Sequence, residues 1–488
     1  MSTPHKPRRA STARRSQPLA MLEAGENIMT PPPTETDLSG SLAHTDAPPE
    51  MGAVFWPVGT GDSTTLVVSD EVVVQIDLHD MALADDETKP EVPVVDLLAE
   101  TLPQVDGEPY LAVFALTHAD KDHCLGFADL LDKVRIGELW ATPRLWREYQ
   151  MENAPDLCAD AKVFQEEAER RVAAVKAAIA KGVEPASGDR IVVIGYDTNH
   201  DQHAYAELPA EYKSGPGKSI TVLDGRDCSD QFEAFIHAPF ADDCANARND
   251  TSLAMHMTLL DASGVGGRVL MFGDLAHETI MKIVDYSEKK VREKYLTYDV
   301  LLAPHHCSKK VMYLPDAEGN DVLQKDVIEA FERHAATGAV VVCSSGPIPA
   351  QDKPRDNPPH LKAYNRYSEV VGEVIVTMSW PSGDAVAPVV FAVDKNGARI
   401  IREADVEAAA EVILSKSLEH AARSLPMGRR LAAVAAAATL ASVGESSGAA
   451  LGSGGGSDGG RSSLERLRAA ITSDRGGDAA PPPVGFGG

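Results

Sequence analysis

The chain has 488 residues, of which 46 are Lys or Arg and 73 are Asp or Glu, giving a formal net charge of −27. Proteins that bind long duplex DNA usually present a basic surface, so this charge disfavours duplex DNA as the ligand. No stretch approaches the ~18 consecutive apolar residues that suggest a membrane-spanning helix. The six cysteines include no C-x-x-C pair. We therefore expect no membrane span, no disulfide framework, and a cytoplasmic protein with reduced thiols.

The length allows two or three domains, and the composition divides the chain into four parts. Residues 1–50 are rich in Pro, Ser and Thr and lack hydrophobic periodicity, which predicts a disordered tail. Residues 51–402 alternate short β-branched runs with helical patterns, which favours a layered α/β domain. Residues 403–424 predict one further helix, and residues 425–488 form a low-complexity Ala, Gly, Ser and Pro tail. The tails are candidate surfaces for a protein partner.

Hydrophobic periodicity predicts the elements of the α/β domain in chain order. Apolar runs bounded by turn residues predict strands at 52–57, 64–69, 72–77, 111–116, 190–195, 252–259, 268–273, 299–303, 339–343, 373–379 and 388–393. Amphipathic patterns predict helices at 91–101, 124–134, 158–181, 275–293, 321–336 and 360–371.

The segment 117–123 carries the densest set of candidate metal ligands, with the spacing H-x-D-x-D-H. It follows the predicted strand 111–116 and so lies at a carboxyl strand end, where α/β folds place their sites. Its ligand side chains are His118, Asp120, Asp122 and His123. Carboxylates this close repel each other unless a cation neutralises them. A metal site is therefore favoured over a surface loop that is merely rich in Asp and His.

This segment resembles the second motif of the metallo-β-lactamase fold, which is usually written H-x-H-x-D-H. Asp120 in place of the second His makes it similar to the subgroup found in the soluble hydrolase domain of the ComEC DNA-uptake protein. Other segments resemble motifs of that subgroup in the same order: Val58–Ser63, Val74–Asp77, Asn249–Leu253, Met271–Asp274, Leu302–Ser308, and Cys343–Gly346 followed by Asn357–His360. The resemblance covers about residues 51–400. It implies a four-layer αββα sandwich with insertions near 145–245 and 311–335.

The resemblance also implies two divalent cations, Zn²⁺ or Mn²⁺, and their ligands. The expected ligands are His118, Asp120, Asp122, His123, Asp274 and His360. The first two would bind one metal and the next two the other. Asp274 matches the family's bridging carboxylate, with a helix N-cap as its alternative role. His360 matches a late ligand of the second metal, with a helix N-terminus role as the alternative.

The third motif departs from the usual metallo-β-lactamase pattern. Its His falls at Asn249–Asp250 in this chain, and His237 is an alternative ligand. Without a His at this position the first site would be rich in oxygen ligands. Such a site makes a harder ion such as Mn²⁺ more plausible beside Zn²⁺.

His305 and His306 follow another predicted strand. Adjacent residues at a strand end point apart, so one of the two is expected to face the site. That residue would bind a metal or stabilise charge on a leaving oxyanion, and the spacing leaves open which of the two it is. Together with Asp122, which would hold the nucleophile, these are the catalytic candidates.

Four residues are expected to orient ligands without binding a metal themselves: Asp62, Asp77, Asn249 and Ser308. Asp62 lies in a Gly-flanked turn, which is either an anion-binding nest or a plain hairpin turn. Cys124 and Cys307 each follow a candidate histidine, and a role as small packing residues is favoured over a role as soft ligands.

These patterns predict a metal-dependent hydrolase of the phosphodiesterase or nuclease type, in which a metal-bound hydroxide attacks a phosphodiester. The substrate class depends on the resemblance, because a fold does not fix a substrate. The acidic charge favours a small or short phosphodiester. One alternative is an ester, thioester or lactone hydrolase, although those branches usually keep the second His where this chain has Asp120. The other is a non-catalytic module that binds a partner, which the altered third motif and Cys307 leave open.

Overall fold

The computed structural model describes residues 51–81, 92–149, 157–243, 248–353, 356–382, 385–395 and 397–402. The predicted tails at 1–50 and 425–488 and the predicted helix at 403–424 lie outside the described residues.

Strands make up most of the regular structure. In chain order they are β1 Gly52–Phe55, β2 Thr64–Ser69, β3 Val72–Ile76, β4 Leu78–His79, β5 Gln104–Val105, β6 Glu108–Ala115, β7 Arg135–Ala141, β8 Arg190–Ile194, β9 Lys213–Ser214, β10 Ser219–Ile220, β11 Val222–Leu223, β12 Arg226–Asp227, β13 Phe232–Ala238, β14 Ala254–Leu260, β15 Gly266–Met271, β16 Tyr298–Leu302, β17 Tyr313–Pro315, β18 Asp321–Leu323, β19 Ala335–Cys343, β20 Glu373–Val376, β21 Pro381–Ser382, β22 Ala385–Val386, β23 Val389–Asp394 and β24 Gly397–Ile400.

The helices are α1 Val94–Thr101, α2 Lys121–Cys124, α3 Phe127–Lys133, α4 Arg144–Tyr149, α5 Ala159–Ala180, α6 His277–Lys289, α7 Pro304–Cys307, α8 Lys325–His334 and α9 Leu361–Val370. In α5, Phe164, Val172 and Val175 are buried and Glu166 and Arg170 are exposed, as the sequence predicts, while the charged Arg171 is buried as well. Among the described residues, no helix combines the length and apolar character that crossing a membrane requires.

Two mixed sheets contain most of the strands. The first runs β24-β23-β1-β2-β3-β6-β7-β8-β9, with β5 paired to β6, and the second runs β10-β13-β14-β15-β16-β19-β20. In the first sheet, β3, β6, β7, β8 and β9 run parallel to one another. In the second sheet, β15, β16, β19 and β20 do the same. Parallel strands bring their carboxyl ends to one edge, so the loops that follow β3, β6, β15 and β16 can share a site.

Three apolar cores separate four layers. The core between the sheets contains large buried side chains from both, including Phe55, Trp140, Phe232 and Phe391. A second core packs α1, α3 and α5 on the first sheet, and a third packs α6, α8 and α9 on the second. Each such side chain stabilises the fold by about 1.5–3 kcal/mol when it is fully buried. The predicted α/β class and four-layer αββα order are confirmed.

The sequence pattern missed some strands and misplaced some helix ends. Strands β7 and β13 were not predicted, because β7 contains a buried Glu138 and β13 contains a buried His237, which interrupt the apolar runs. The predicted helix 321–336 starts only at Lys325, since residues 321–323 pair with β17 as a hairpin. The predicted helix 124–134 is divided at Gly126, which adopts a left-handed backbone with φ 97°.

Candidate metal centre

Asp274 joins two groups of histidines at the strand ends. It follows β15, and its Oδ1 atom lies 3.3 Å from His123 Nε2 and 3.2 Å from His306 Nε2. Its Oδ2 atom lies 3.8 Å from His118 Nε2 and 3.6 Å from His305 Nε2. One carboxylate therefore presents a separate oxygen to each pair of imidazoles, as a bridging ligand would.

We define two groups around these oxygens. The His123 group consists of Oδ1 of Asp274 with His123, His306 and Asp122, whose Oδ2 lies 3.5 Å from His306 Nε2. The His118 group consists of Oδ2 of Asp274 with His118, His305 and Asp120, whose Oδ2 lies 3.6 Å from His118 Nε2. Five of the six predicted ligands thus come together, and both histidines of the 305–306 pair join them.

The outer nitrogens of His123 and His306 each face a carboxylate, and that of His306 also faces the backbone oxygen of Ser344 at 3.3 Å. His123 Nδ1 lies 2.7 Å from Asp77 Oδ2, and Asp77 also accepts hydrogen bonds from Thr117 N and Thr117 Oγ1 at 2.7 and 2.6 Å. His306 Nδ1 lies 3.4 Å from Asp62 Oδ1. Such contacts fix the ring orientation and leave Nε2 free to bind a metal. Asp62 and Asp77 therefore each contact the outer ring nitrogen of a candidate ligand. Asp62, His123, Asp274 and His306 also offer ligand atoms within 4.8 Å of one another, but Asp62 reaches the outer face of the His306 ring.

His118 is held by hydroxyl groups that the sequence did not identify. Its Nδ1 lies 3.1 Å from Thr117 Oγ1 and 3.3 Å from Ser252 Oγ, while its Nε2 is buried without a hydrogen-bond partner in the described structure. The same holds for Asp274 Oδ1. A buried polar atom without a partner is costly, and a cation between such atoms would satisfy them. The imidazole and carboxylate donors therefore fit a divalent metal ion.

The charges in the site also fit a bound cation. Burial alone would lower the pKa of His123, but the carboxylates of Asp274 and Asp77 raise this pKa well above its ordinary value. Burial would likewise lower the pKa of His306, but the carboxylates of Asp274 and Asp62 raise it well above its ordinary value. Burial would raise the pKa of Asp274, but His306 and His123 hold it well below its usual range. The carboxylates thus stabilise positive charge at the ring nitrogens, whether it comes from protons or from metal ions.

Asp120 makes a contact that the sequence did not predict. Its Oδ1 accepts a hydrogen bond from Arg248 Nη1 at 2.8 Å, and Arg248 Nε donates to the buried Glu148 at 2.8 Å. The next residue, Asn249, donates from Nδ2 to Asp274 Oδ2 at 2.9 Å. The third-motif position therefore supplies an amide that donates to the carboxylate of Asp274. No local spacing marks Arg248, because its partners lie on distant segments.

Left-handed backbone aims several of these side chains. Asp77, His305 and His306 have φ values of 53°, 51° and 53°. Such conformations cost free energy in residues other than glycine, and they gather at functional sites. The expectation that one histidine of the pair would point away assumed a strand, whereas this turn brings both rings to Asp274. Gly273 has φ 52°, and a Cβ atom there would lie 2.9 Å from Ser252 Cβ.

Three other candidates lie apart from the two groups. His360 stands at the N-cap position of α9 without a side-chain capping hydrogen bond, and its Nδ1 accepts from Lys309 N at 3.3 Å while its Nε2 donates to Asp356 O at 3.2 Å. Both contacts are with backbone atoms. Ser308 Oγ accepts from Lys310 N. His237 Nε2 donates to Tyr295 O at 2.8 Å, so that nitrogen faces backbone.

No family model and no curated protein matches the chain. Among solved structures, it is similar to the metallo-β-lactamase MIM-1 from Novosphingobium pentaromativorans, with 12% identity and a TM-score of 0.25, over 53% of this chain and 76% of that chain. It is also similar to ST1585 from Sulfolobus tokodaii, an archaeal metallo-β-lactamase superfamily protein, with 13% identity and a TM-score of 0.24, over 58% of this chain and 85% of that chain. TM-scores this low do not establish a shared family or function.

Proposed function

We propose that the chain is a metal-dependent hydrolase. The observation that carries this proposal is the Asp274 carboxylate, whose two oxygens each face a separate pair of imidazole Nε2 atoms in a buried site. The His123 group and the His118 group would each hold one divalent cation. Nitrogen and carboxylate donors suit Zn²⁺, and the carboxylates also allow Mn²⁺. Bound cations of this kind polarise a scissile bond and lower the pKa of water.

The residues at the open side of the site have distinct properties. Asp122 is partly exposed. Burial would raise its pKa, but His306 and His123 hold the pKa well below its usual range. An ionised Asp122 would orient a nucleophile or bind a cation, and it would not serve as a proton acceptor at neutral pH. Burial lowers the pKa of His305 to about 4, so this ring is neutral and can hydrogen-bond to a leaving oxygen.

A small or short phosphodiester is the substrate class that we propose. Its support is the H-x-D-x-D-H motif with Asp120, which resembles the ComEC-type subgroup more than the ester-hydrolysing branches. The net charge of −27 supports a short substrate over long duplex DNA, because a long polyanion would be repelled. Ester, thioester or lactone hydrolysis and a non-catalytic binding role remain as the competing outcomes of the test.

The test measures metal content and hydrolysis of bis-p-nitrophenyl phosphate with Zn²⁺ and Mn²⁺ supplied separately. Wild type is compared with a variant that carries Asp122→Ala and His123→Ala. The matched control is His203→Ala, because His203 and Asp197 form another buried His–Asp pair, at 3.0 Å, outside both groups. We expect two metals per chain and an activity that the double variant loses and the control keeps. Turnover of esters alone would replace the substrate class, and a folded protein that binds no metal would overturn the hydrolase proposal.

A further inference from the structure

A cysteine immediately follows the key histidine in each of two ligand loops. Cys124 follows His123, and its Sγ lies 3.4 Å from Cys158 Sγ. Cys307 follows His306 and contacts Cys343, and both of these thiols are fully buried. All four are free thiols in this structure. The chain therefore contains two thiol pairs beside the candidate metal centre, and they differ in their access to solvent.

Cys158 has the setting of a reactive thiol. It is the N-cap of α5, a helix of 22 residues, and its Sγ accepts a hydrogen bond from Ala161 N at 3.4 Å. Helix N-termini stabilise negative charge, including that of a thiolate. The hydrogen bond from Cys124, with help from Ala161, lowers the pKa of Cys158 to about 6 although burial opposes the change. The helix N-terminus and these hydrogen bonds therefore favour the thiolate form of Cys158.

Access to solvent assigns different roles to the two sulfurs. Cys158 is partly exposed, whereas Cys124 is buried. A dissolved oxidant can therefore reach Cys158 before it reaches Cys124. Cys124 already lies in van der Waals contact with Cys158 and needs to move little to attack it. Cys307 and Cys343 lack an exposed member and serve as an internal comparison.

We propose that Cys124 and Cys158 form a reversible disulfide when the protein meets a hydroperoxide. The Cys158 thiolate attacks the outer oxygen of the hydroperoxide, the O–O bond breaks, and the departing alkoxide or hydroxide takes up a proton, which leaves a sulfenic acid on Cys158. Cys124 then loses its proton and attacks the Cys158 sulfur. The S–O bond breaks, and the hydroxide leaves as water with that proton. Two thiols and one hydroperoxide thus give one disulfide, one alcohol or water, and one further water.

The disulfide would change the loop that carries the metal ligands. A disulfide requires a sulfur–sulfur distance of about 2.05 Å, so the present 3.4 Å must shorten. The Cys124 thiol also donates a hydrogen bond to the backbone oxygen of Asp120 at 3.2 Å. A disulfide sulfur has no proton to donate, so this bond is lost on oxidation and the turn between Asp120 and His123 loses a contact that holds it. This consequence, unlike the disulfide itself, depends on the proposed metal centre. We expect Zn²⁺ affinity to fall about tenfold or more, the scale on which displaced ligand contacts act.

The test treats the reduced, full-length protein with hydrogen peroxide, blocks the remaining thiols, and maps the peptides by mass spectrometry without reduction. We expect one cross-link, between Cys124 and Cys158, which dithiothreitol reverses. Cys158→Ser keeps a good N-cap for α5 and should abolish the cross-link. Cys124→Ala should leave a sulfenic acid on Cys158 that dimedone traps. Oxidation of Cys307 and Cys343 before Cys158, or no cross-link in the folded protein, would overturn the proposal.

A second arm separates this proposal from the proposed function. Zn²⁺ affinity is measured by competition with a chelator for peroxide-treated wild type and for peroxide-treated Cys158→Ser. A lower affinity in the wild type alone supports control of the site by the disulfide, and equal affinities refute that control. A cross-linked protein that binds no Zn²⁺ even after reduction would refute the proposed function while the disulfide stands.

Discussion

Replacing Asp77 by Asn would change the hydrogen-bond partner of His123 Nδ1 while it keeps the shape of the side chain at position 77. The Asp77 carboxylate accepts three hydrogen bonds, from Thr117 N, Thr117 Oγ1 and His123 Nδ1, at 2.7, 2.6 and 2.7 Å. Asn has the same size, and it tolerates the left-handed backbone that Asp77 adopts at φ 53° better than most residues do. The Asp77→Asn variant should therefore fold, and its effect should be confined to the ligand.

The expected defect is a change of the His123 tautomer, in which the ring proton lies on Nε2 instead of Nδ1. The amide oxygen of Asn would accept from Thr117 N, which directs the amide NH₂ toward the Thr117 hydroxyl and His123 Nδ1. Donation to Nδ1 places the ring proton on Nε2, the atom that faces Asp274 and would bind the metal. Loss of an orienting partner usually costs 10–100-fold in metal affinity. Because the lone pair is also removed from Nε2, we expect the upper end, about 100-fold or about 2.7 kcal/mol.

Competition with a chelator measures this loss directly. Zn²⁺ affinity is compared between wild type, Asp77→Asn, and the control Asp197→Asn, which makes the same change beside His203. Thermal unfolding without metal shows whether either variant is destabilised. Unchanged Zn²⁺ affinity in Asp77→Asn, or an equal loss in the control, would show that the Asp77 carboxylate does not set the tautomer of His123.

Two further predictions concern stability. Burial raises the pKa of Glu138 from an ordinary 4.5 to about 7, although Trp140 donates to its carboxylate. Because the pKa is raised in the folded state, the contribution of Glu138 to folding stability is complete below about pH 4.5. It is lost as the pH rises to about 7, because Glu138 ionises first in the unfolded chain. The free energy of unfolding of wild type in urea should therefore fall by up to about 3 kcal/mol between pH 4.5 and 7 because of Glu138, and Glu138→Gln should lack this fall. The same pH dependence in both proteins would contradict the assignment. Gly273→Ala should lower stability by about 1–2 kcal/mol, because Gly273 has a positive φ and its new Cβ would meet Ser252; a thermal midpoint equal to that of wild type would refute this.

The candidate ligands could be picked out from the sequence because they lie in short motifs next to apolar strands. His118 and Asp120 lie in the loop after β6, Asp122 and His123 lie in the short helix α2 that follows it, and Asp274 follows β15. Their polar types at a strand end identify them without any knowledge of distant contacts. The four-layer order followed from the alternation of strand and helix patterns, together with the resemblance.

The partners of those ligands were harder to predict. Ser252 and Arg248 reach the His118 group only after both sheets have packed, and neither has a local spacing that marks it. The left-handed turn at His305 and His306 contains no glycine, so the sequence favoured an ordinary strand end. Strands with buried polar residues were missed for the same reason, since burial of Glu138 is a tertiary property.

The orienting contacts suggest that the site depends on the packing of both sheets. His123 follows the first sheet, yet its Nε2 faces Asp274, which follows the second. His306 follows the second sheet, yet its Nδ1 faces Asp62, which lies in the turn between β1 and β2 of the first. Each of these two histidines thus contacts a carboxylate from the opposite sheet, Asp274 for His123 and Asp62 for His306. Metal affinity should therefore report on the contact between the sheets, and changes at Asp62 or Asp77 should weaken metal binding before they unfold the protein.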